Sequence, residues 1–387
     1  MSSVDEYAFG SPATPLAQSL TRLNLNNNEL THVELAFVSQ LPNLKELLLD
    51  YNKLQHLPEN VFAGASRSLE HLSLRGNFIA RLSAEHALAG LHHNLRRLDL
   101  AGNGLRHVAP RLFMHTTKLR ELNMERNELG ALTDARGLFE GVESELRTLN
   151  MEHNQLRAAH LWSLAGLLNV ESLRVGHNPL GADIDSLSRV FELFRNMSHL
   201  DLQNSSLRRV PYFAGLNRTL LTLNVASNRV CHVSERSLAR SYARLRRLNL
   251  NGNPLRCDCN LSGLRHWLLD KMDAGQEEVV AANTSTLRRD TPLNWRCASP
   301  QPLLNRPLTQ VSAENLVCES TNRRGEDVNL DDECLLDVDE TLTSTTTATT
   351  TTTTTTTASI LITQPRVIKK KLEYSNPPIE LVVLFTK

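Results

Sequence analysis

The chain has 387 residues, balances 42 Lys and Arg against 42 Asp and Glu, and is 22% charged. That balance excludes the strong basic bias of a nucleic-acid-binding domain. No stretch reaches the ~20 apolar residues of a membrane span, and the late run from Leu381 to Phe385 is far too short.

The opening residues Met1-Ser-Ser-Val-Asp-Glu-Tyr lack the basic start and apolar core of a secretory leader. They do carry a spacing found again downstream. Val4 and Phe9, Leu57 and Phe62, and Val108 and Phe113 each set an aliphatic residue and a Phe five apart. The later two pairs lie in the back half of a repeating unit. Residues 1–19 therefore read as a partial unit, with a plain N-terminal tail the alternative; on the first reading the expectation is that at least one earlier unit and a terminal cap precede Met1.

Residues 20–256 are built from that unit. Its clearest copy is Leu95-Arg-Arg-Leu98-Asp-Leu100-Ala-Gly-Asn103-Gly-Leu105, with leucines at positions 1, 4, 6 and 11 and Asn at position 9. Copies start at Leu20, Leu44, Leu69, Leu95, Leu119, Leu146, Val170, Met197, Leu220 and Leu245, between 23 and 27 residues apart. Ten such copies in register are the signature of a leucine-rich repeat solenoid. The expected fold is α/β: a curved parallel sheet with an irregular or short-helical convex side. Each coil contributes one short strand, and positions 4 and 6 alternate inward. At ~4.8 Å per strand the ten coils span roughly 45 Å. Where the chain leaves each strand, backbone groups lack sheet partners. The Asn at position 9 has donors and an acceptor to satisfy them between coils. Ser205 takes that place in the eighth copy and marks the weakest joint. On the convex side, Leu187, Val190, Phe191 and Phe194 have helical spacing.

The register also exposes the concave face. Position 5 carries, among others, Asp99, Asn123, Asn150 and Arg174, and position 7 carries Asp50, Arg75, Glu125 and Glu152, with Tyr51 the main aromatic beside them. These nine residues are the expected ligand-binding face. Both rows are polar and of mixed sign, so they suit a protein or glycan read by hydrogen bonds and charge. The middle is acidic, which favours a locally basic partner.

Residues 257–318 form a second motif: Asn253-Pro-Leu-Arg-Cys257-Asp-Cys259-Asn-Leu, then Trp267-Leu, Trp295-Arg-Cys297 and Cys318. This resembles the cysteine-rich C-terminal cap of extracellular leucine-rich repeat proteins such as Slit, the Toll receptors and chaoptin. The resemblance implies disulfides Cys257–Cys297 and Cys259–Cys318, and a short helix with Leu264, Trp267 and Leu268 covering the open edge of the last coil. It also implies an oxidising compartment, hence an extracellular or cell-surface location, with a cytoplasmic one the alternative if the chain's ends are those given. A zinc site from Cys257, Cys259 and His266 is the competing reading, with poor spacing for a tetrahedral metal. Cys231 reads as a small free hydrophobe and Cys334 as a tail cysteine, free or intermolecular.

Five glycosylation sequons stand at Asn196, Asn204, Asn217, Asn260 and Asn283. A glycan on Asn204 shields one end of the concave face, which places a partner on repeats two to seven. Residues 319–340 form an acidic linker, with eight acidic side chains between 326 and 340. Residues 341–357 hold 14 Thr in 17 positions and read as an O-glycosylated stalk, and 358–387 as a tail. Membrane attachment requires a segment outside this chain.

No nucleophile elbow, metalloprotease helix, phosphate loop or dinucleotide loop is present. Carboxylates on a shallow, wet arc lack the burial that tunes a catalytic pKa. The expectation is a non-enzymatic binding module without catalytic residues, metal or cofactor. The family resemblance implies extracellular recognition or cell adhesion, or the ectodomain of a Toll-like or guidance receptor. An intracellular scaffold would leave the cysteine cap unexplained.

Overall fold

The protein is described by a computed structural model, which covers residues 4, 8–32, 35–59, 61–62, 68–82, 87–88, 90–91, 94–131, 137–213, 216, 218–233, 244–273, 295–318 and 379–382. A short helix, α1 (Pro15–Ser19), is capped by the Thr14 side chain and leads into the first strand, β1 (Leu20–Asn24). A second turn of helix, α2 (Leu35–Ser39), precedes β2 (Glu46–Leu48), β3 (His71–Ser73) and the convex-side pair member β4 (Arg81–Leu82). Then come β5 (Arg97–Asp99), β6 (His107–Val108), β7 (Glu121–Asn123), β8 (Thr148–Asn150) and β9 (Ser172–Arg174). Helix α3 (Ile184–Phe191) is followed by β10 (His199–Asp201), β11 (Thr222–Asn224) and β12 (Arg247–Asn249).

Ten of these strands stack in parallel in chain order, while β4 and β6 pair separately. The register never slips across the stack: Leu23, Leu47, Leu72, Leu98, Leu122, Leu149, Leu173, Leu200, Leu223 and Leu248 lie side by side. All ten are buried. A slip of one residue would turn every one of them to solvent, and this pins the register. The back of the core is aromatic. Phe113 stacks on Phe139 with ring centroids 6.1 Å apart, and Phe9 tilts against Phe37 at 5.9 Å. Val4 and Phe9 are buried with them. The Asp183 side chain caps α3, whose Leu187, Val190 and Phe191 face the core, with Phe194 buried just beyond.

The asparagines stitch the coils. Asn127 Oδ1 accepts from the amides of Asn103 and Leu105, both at 3.0 Å, and its Nδ2 donates to the carbonyls of Leu100 and Met124. Asn52, Asn77, Asn103, Asn154, Asn178, Asn228 and Asn253 make the equivalent pair of cross-coil bonds. Asn28 differs: it keeps only bonds within its own coil, and its Oδ1 is buried without a donor.

The last coil runs into a cap made of β13 (Leu255–Arg256), helix α4 (Ser262–Asp273) and β14 (Cys297–Ser299). Leu264, Trp267 and Leu268 of α4 are buried, and Arg265 Nε donates to the Val311 carbonyl at 2.6 Å. Disulfides join Cys257 to Cys297 and Cys259 to Cys318 across 40 and 59 residues. In the chain-entropy account each loop is worth about 4 kcal/mol. Cys231 corrects the sequence reading: it is disulfide-bonded, not a free thiol. Its short side chain between Val230 and Val233 looked like core filling, and its partner lies outside the described residues. Cys334, Asn217, Asn283 and the linker, stalk and most of the tail also lie outside them.

One further element was not anticipated. β15 (Ile379–Val382) adds in parallel to the free edge of β1, with Leu381 opposite Leu23 and Glu380 opposite Arg22. Among the described residues, no helix is long and apolar enough to cross a membrane.

Candidate ligand-binding face

The concave face is built from three rows of side chains. The first flanks each buried position-4 leucine on its N-terminal side. There neighbouring side chains pair across the first five coils: Arg22 meets Glu46 at 2.9 Å, Glu46 meets His71 at 3.1 Å, and Arg97 meets Glu121 at 3.0 Å. The sequence reading passed over this row, although the two-residue strand period places it on the same face as position 5.

The second row, position 5, has a structural duty as well. Asp99, Asn123, Asn150, Asp201, Asn224 and Asn249 each accept the backbone amide two residues on, at 2.8–3.2 Å. Each bond closes a local turn that ends the strand. Leu48, Ser73 and Arg174 are the exceptions in this row, and Arg174 leaves its guanidinium exposed.

Between them, the predicted site residues form one cross-linked surface. Asp50 accepts from the Ser73 hydroxyl and from the Arg75 amide at 2.9 Å. Arg75 Nε donates to the Tyr51 hydroxyl at 3.3 Å, and its guanidinium lies 3.9 Å from Asp99. Asn123 donates to Asp99 at 3.0 Å, and Asn150 to Glu125 at 3.5 Å. Glu125 also pairs with Arg126 at 2.9 Å. Burial holds the Asp50 carboxyl above its usual range, against the pull of its Ser73 and Arg75 bonds. The Glu152 carboxyl is also raised, first by burial and then by Asp201 and Glu125, with Arg174 opposing. A buried carboxylate facing like charges is a receptive point for a partner's cation.

Position 8 forms the rim. Asn27, Tyr51, Gly76, Gly102, Arg126, His153, His177, Asn204, Ser227 and Gly252 all have φ between 49° and 72°. The sharp exit from each strand demands this left-handed backbone. Gly76 is needed for a second reason: a Cβ there would lie 2.6 Å from the Tyr51 ring, which packs across it. Further along, His153 and His177 stack with centroids 3.9 Å apart. Burial, then the neighbouring His177 and Arg126, push the His153 imidazole below its usual range. Asn204 Nδ2 lies 3.1 Å from His177 Nδ1, which puts this exposed sequon on the rim itself. Asn196 is exposed on the side of the coils and donates to Asn169 at 3.0 Å, and Asn260 is exposed on the cap. Among the described residues no cluster of three or more His, Cys, Asp or Glu is placed to hold a metal. His266 is 3.1 Å from the Ser262 carbonyl, while Cys257 and Cys259 are oxidised.

Comparison with known proteins agrees with this architecture. The leucine rich repeat family model matches residues 18–79 and 67–129. Podocan-like protein 1 of Mus musculus is 31% identical over 293 residues, covering 68% of this chain and 50% of that protein. Transforming growth factor beta activator of Mus musculus is 29% identical over 250 residues, covering 62% of this chain and 32% of that protein. The chain thus spans half or less of the length of these relatives. The structure of a leucine-rich repeat protein of Leptospira interrogans superposes with a TM-score of 0.55 at 26% identity, covering 65% of this chain and 59% of that one.

Proposed function

We propose, from the premise that this is a leucine-rich repeat protein with a disulfide-bonded C-terminal cap, that it is a non-enzymatic recognition module. It works outside the cell and binds a protein partner on its concave sheet, in matrix recognition or cell adhesion. The observation that carries this reading is the concave face of repeats two to seven. Asp50, Tyr51, Arg75, Asp99, Asn123, Glu125, Asn150 and Glu152 are held there by bonds to one another rather than left to move. A polar surface organised in advance loses little side-chain entropy on binding. Glu152, raised by burial and by Asp201 and Glu125, is the point at which a basic side chain of the partner gains most. A protein partner also accords with one relative, which is by name an activator of a growth factor.

Location follows from redox chemistry. Oxidised Cys257, Cys259, Cys297 and Cys318 persist in secretory and extracellular compartments and are rare in the cytosol. Exposed Asn196, Asn204 and Asn260 are glycan acceptors in the same setting.

The test is to secrete the chain with intact disulfides and screen it against an array of extracellular protein domains. The double variant Glu125→Lys, Glu152→Lys is expected to lose the partner. A variant at exposed convex aromatics, Trp162→Ala with Tyr212→Ala, is expected to keep it. The reverse pattern would move recognition to the convex side and overturn the reading.

A further inference from the structure

The concave sheet changes character after repeat five. In the first five coils, the charged residues of the outer strand row neutralise one another, as Arg22–Glu46 and Arg97–Glu121 do. From β8 onward, that row shrinks to Thr148, Ser172 and Thr222, interrupted by His199 and ended by Arg247. Small side chains leave space. A trough of about 310 Å³ opens over β8 to β12, with Arg174 and Arg247 on its lining.

Neither arginine has an ion pair within 4.0 Å among the described residues, and Arg174 feels Glu152 only at longer range. Both are exposed, and His199 beside them is exposed as well. The acid lining the trough, Asp201, is already committed: Oδ1 accepts the Gln203 amide and Oδ2 the Asn224 amide group, both at 2.9 Å. Two guanidinium groups against one carboxylate leave the lining net positive by one charge. Asn249 spends its Oδ1 on the Asn251 amide, and its Nδ2 has no protein partner among the described residues.

We propose that this trough is a second recognition subsite, which takes an extended acidic peptide segment with carboxylates four residues apart. The proposal rests on the reading of the concave sheet as a recognition surface and extends it past repeat seven; Asn204 stands on the rim and not in the trough lining, so a glycan there flanks the subsite rather than filling it. The spacing comes from the sheet. Arg174 and Arg247 sit three strand steps and two residues of strand apart, about 16 Å at ~4.8 Å per step and ~3.3 Å per residue, and their long side chains reach inward from that span. An extended peptide rises about 3.3 Å per residue, so four residues span about 13 Å. Each guanidinium offers a planar fork that matches a carboxylate with two parallel hydrogen bonds. The Thr and Ser hydroxyls and Asn249 Nδ2 then meet peptide carbonyls and amides between the two anchors. The occupant is a peptide rather than a sugar chain because no Phe, Tyr or Trp ring lines the trough for a pyranose face to stack on. It is acidic because the unpaired side chains are cations.

The test uses the whole secreted chain and fluorescent peptides in low salt, read by anisotropy. One peptide carries Glu at positions i and i+4 among Ser and Ala. A second has the same composition with adjacent Glu, and a sulfated oligosaccharide is the third probe. The i, i+4 peptide is expected to bind at least tenfold more tightly than the adjacent-Glu isomer and to lose affinity as salt rises. Arg174→Gln with Arg247→Gln is expected to weaken it at least tenfold, while Arg209→Gln, which pairs with Asp185 outside the trough, leaves it unchanged. Equal binding of both peptides, preference for the sulfated oligosaccharide, or indifference to the double substitution overturns the proposal. The double variant Glu125→Lys, Glu152→Lys separates the two readings. Loss of the protein partner through Arg247→Gln in repeat ten but not through the glutamate pair would sink the repeats two-to-seven reading, while loss through the glutamate pair with no peptide binding would sink this one alone.

Discussion

The carbonyl of Ser205 accepts hydrogen bonds from the amides of both Leu180 and Gly181, at 3.1 and 3.0 Å. In most neighbouring coils an Asn side chain takes the first of these bonds through Oδ1, as Asn178 does for Leu156 and Asn228 for Leu207. A serine cannot reach that far, so the backbone itself closes in, and residue 181 has room only for hydrogen. A Cβ there would run into the Ser206 carbonyl. Gly181→Ala is therefore expected to cost ~1–3 kcal/mol, the range for forced overpacking. Gly166→Ala, whose Cβ would meet Glu143 at an ordinary 3.5 Å, is expected to stay within about ±0.5 kcal/mol. Urea unfolding of the two variants makes the comparison, and equal costs would refute the pairing of Ser205 with Gly181.

The Asn ladder predicts an asymmetry along the solenoid. Asn127→Ala strips partners from two buried amides and two buried carbonyls. Each orphaned group costs about 1–3 kcal/mol, so the total is several kcal/mol. Asn28→Ala removes only own-coil bonds and is expected to cost about 1 kcal/mol. Thermal melts of both variants at one pH decide it.

The cap depends on oxidation. Cys259→Ser with Cys318→Ser opens a loop of 59 residues and is expected to lower stability by about 4 kcal/mol. The Cys257, Cys297 pair should cost a similar amount. Hydrogen exchange should show the loss first in α4 and the last coil, because solenoid coils depend chiefly on their neighbours.

Two groups on the face give opposite pH responses. Glu152 has a raised folded-state pKa, so the fold holds that proton more tightly than the unfolded chain does. Its contribution is complete below the ordinary glutamate value and is lost as pH rises through the folded one. Glu152→Gln should thus gain stability at neutral pH, by a few tenths of a kcal/mol given its partial exposure, and flatten the acid-side profile. His153 has a depressed folded-state pKa, so its contribution is present above the ordinary histidine value and is lost as pH falls through the folded one. Proton NMR titration of His153, with and without His177→Ala, should show its pKa rise when the stacked neighbour is removed.

The edge of β1 offers the last test. β15 covers it in parallel, and an uncovered strand edge is a template for another chain. A chain lacking residues 379–387 is expected to exchange β1 amides faster and to form concentration-dependent dimers by light scattering. An unchanged monomer with unchanged exchange would show that β15 contributes nothing there.

How much of this was legible beforehand divides along a physical line. The period of 23 to 27 residues, the inward leucines, the Asn ladder and the cap cysteines are each written in local spacing and side-chain chemistry. One coil's needs dictate them, and the other coils repeat them. The polar rows were legible as a face, but not their bonding. Asp99 to Asn123, Arg22 to Glu46 and His153 to His177 are pairs of residues 24 apart whose meeting depends on the rotamers chosen once coils are stacked. The oxidised state of Cys231 and the seat of β15 join segments with no repeat relation at all, so periodicity carried no trace of them. By itself, then, the sequence determined that a parallel solenoid forms and which side chains face outward, because strand period and burial are properties of each coil. Only the tertiary structure decided which of those charges cancel and which, at Arg174 and Arg247, stay unpaired, because cancellation is a property of neighbours brought within a few ångströms.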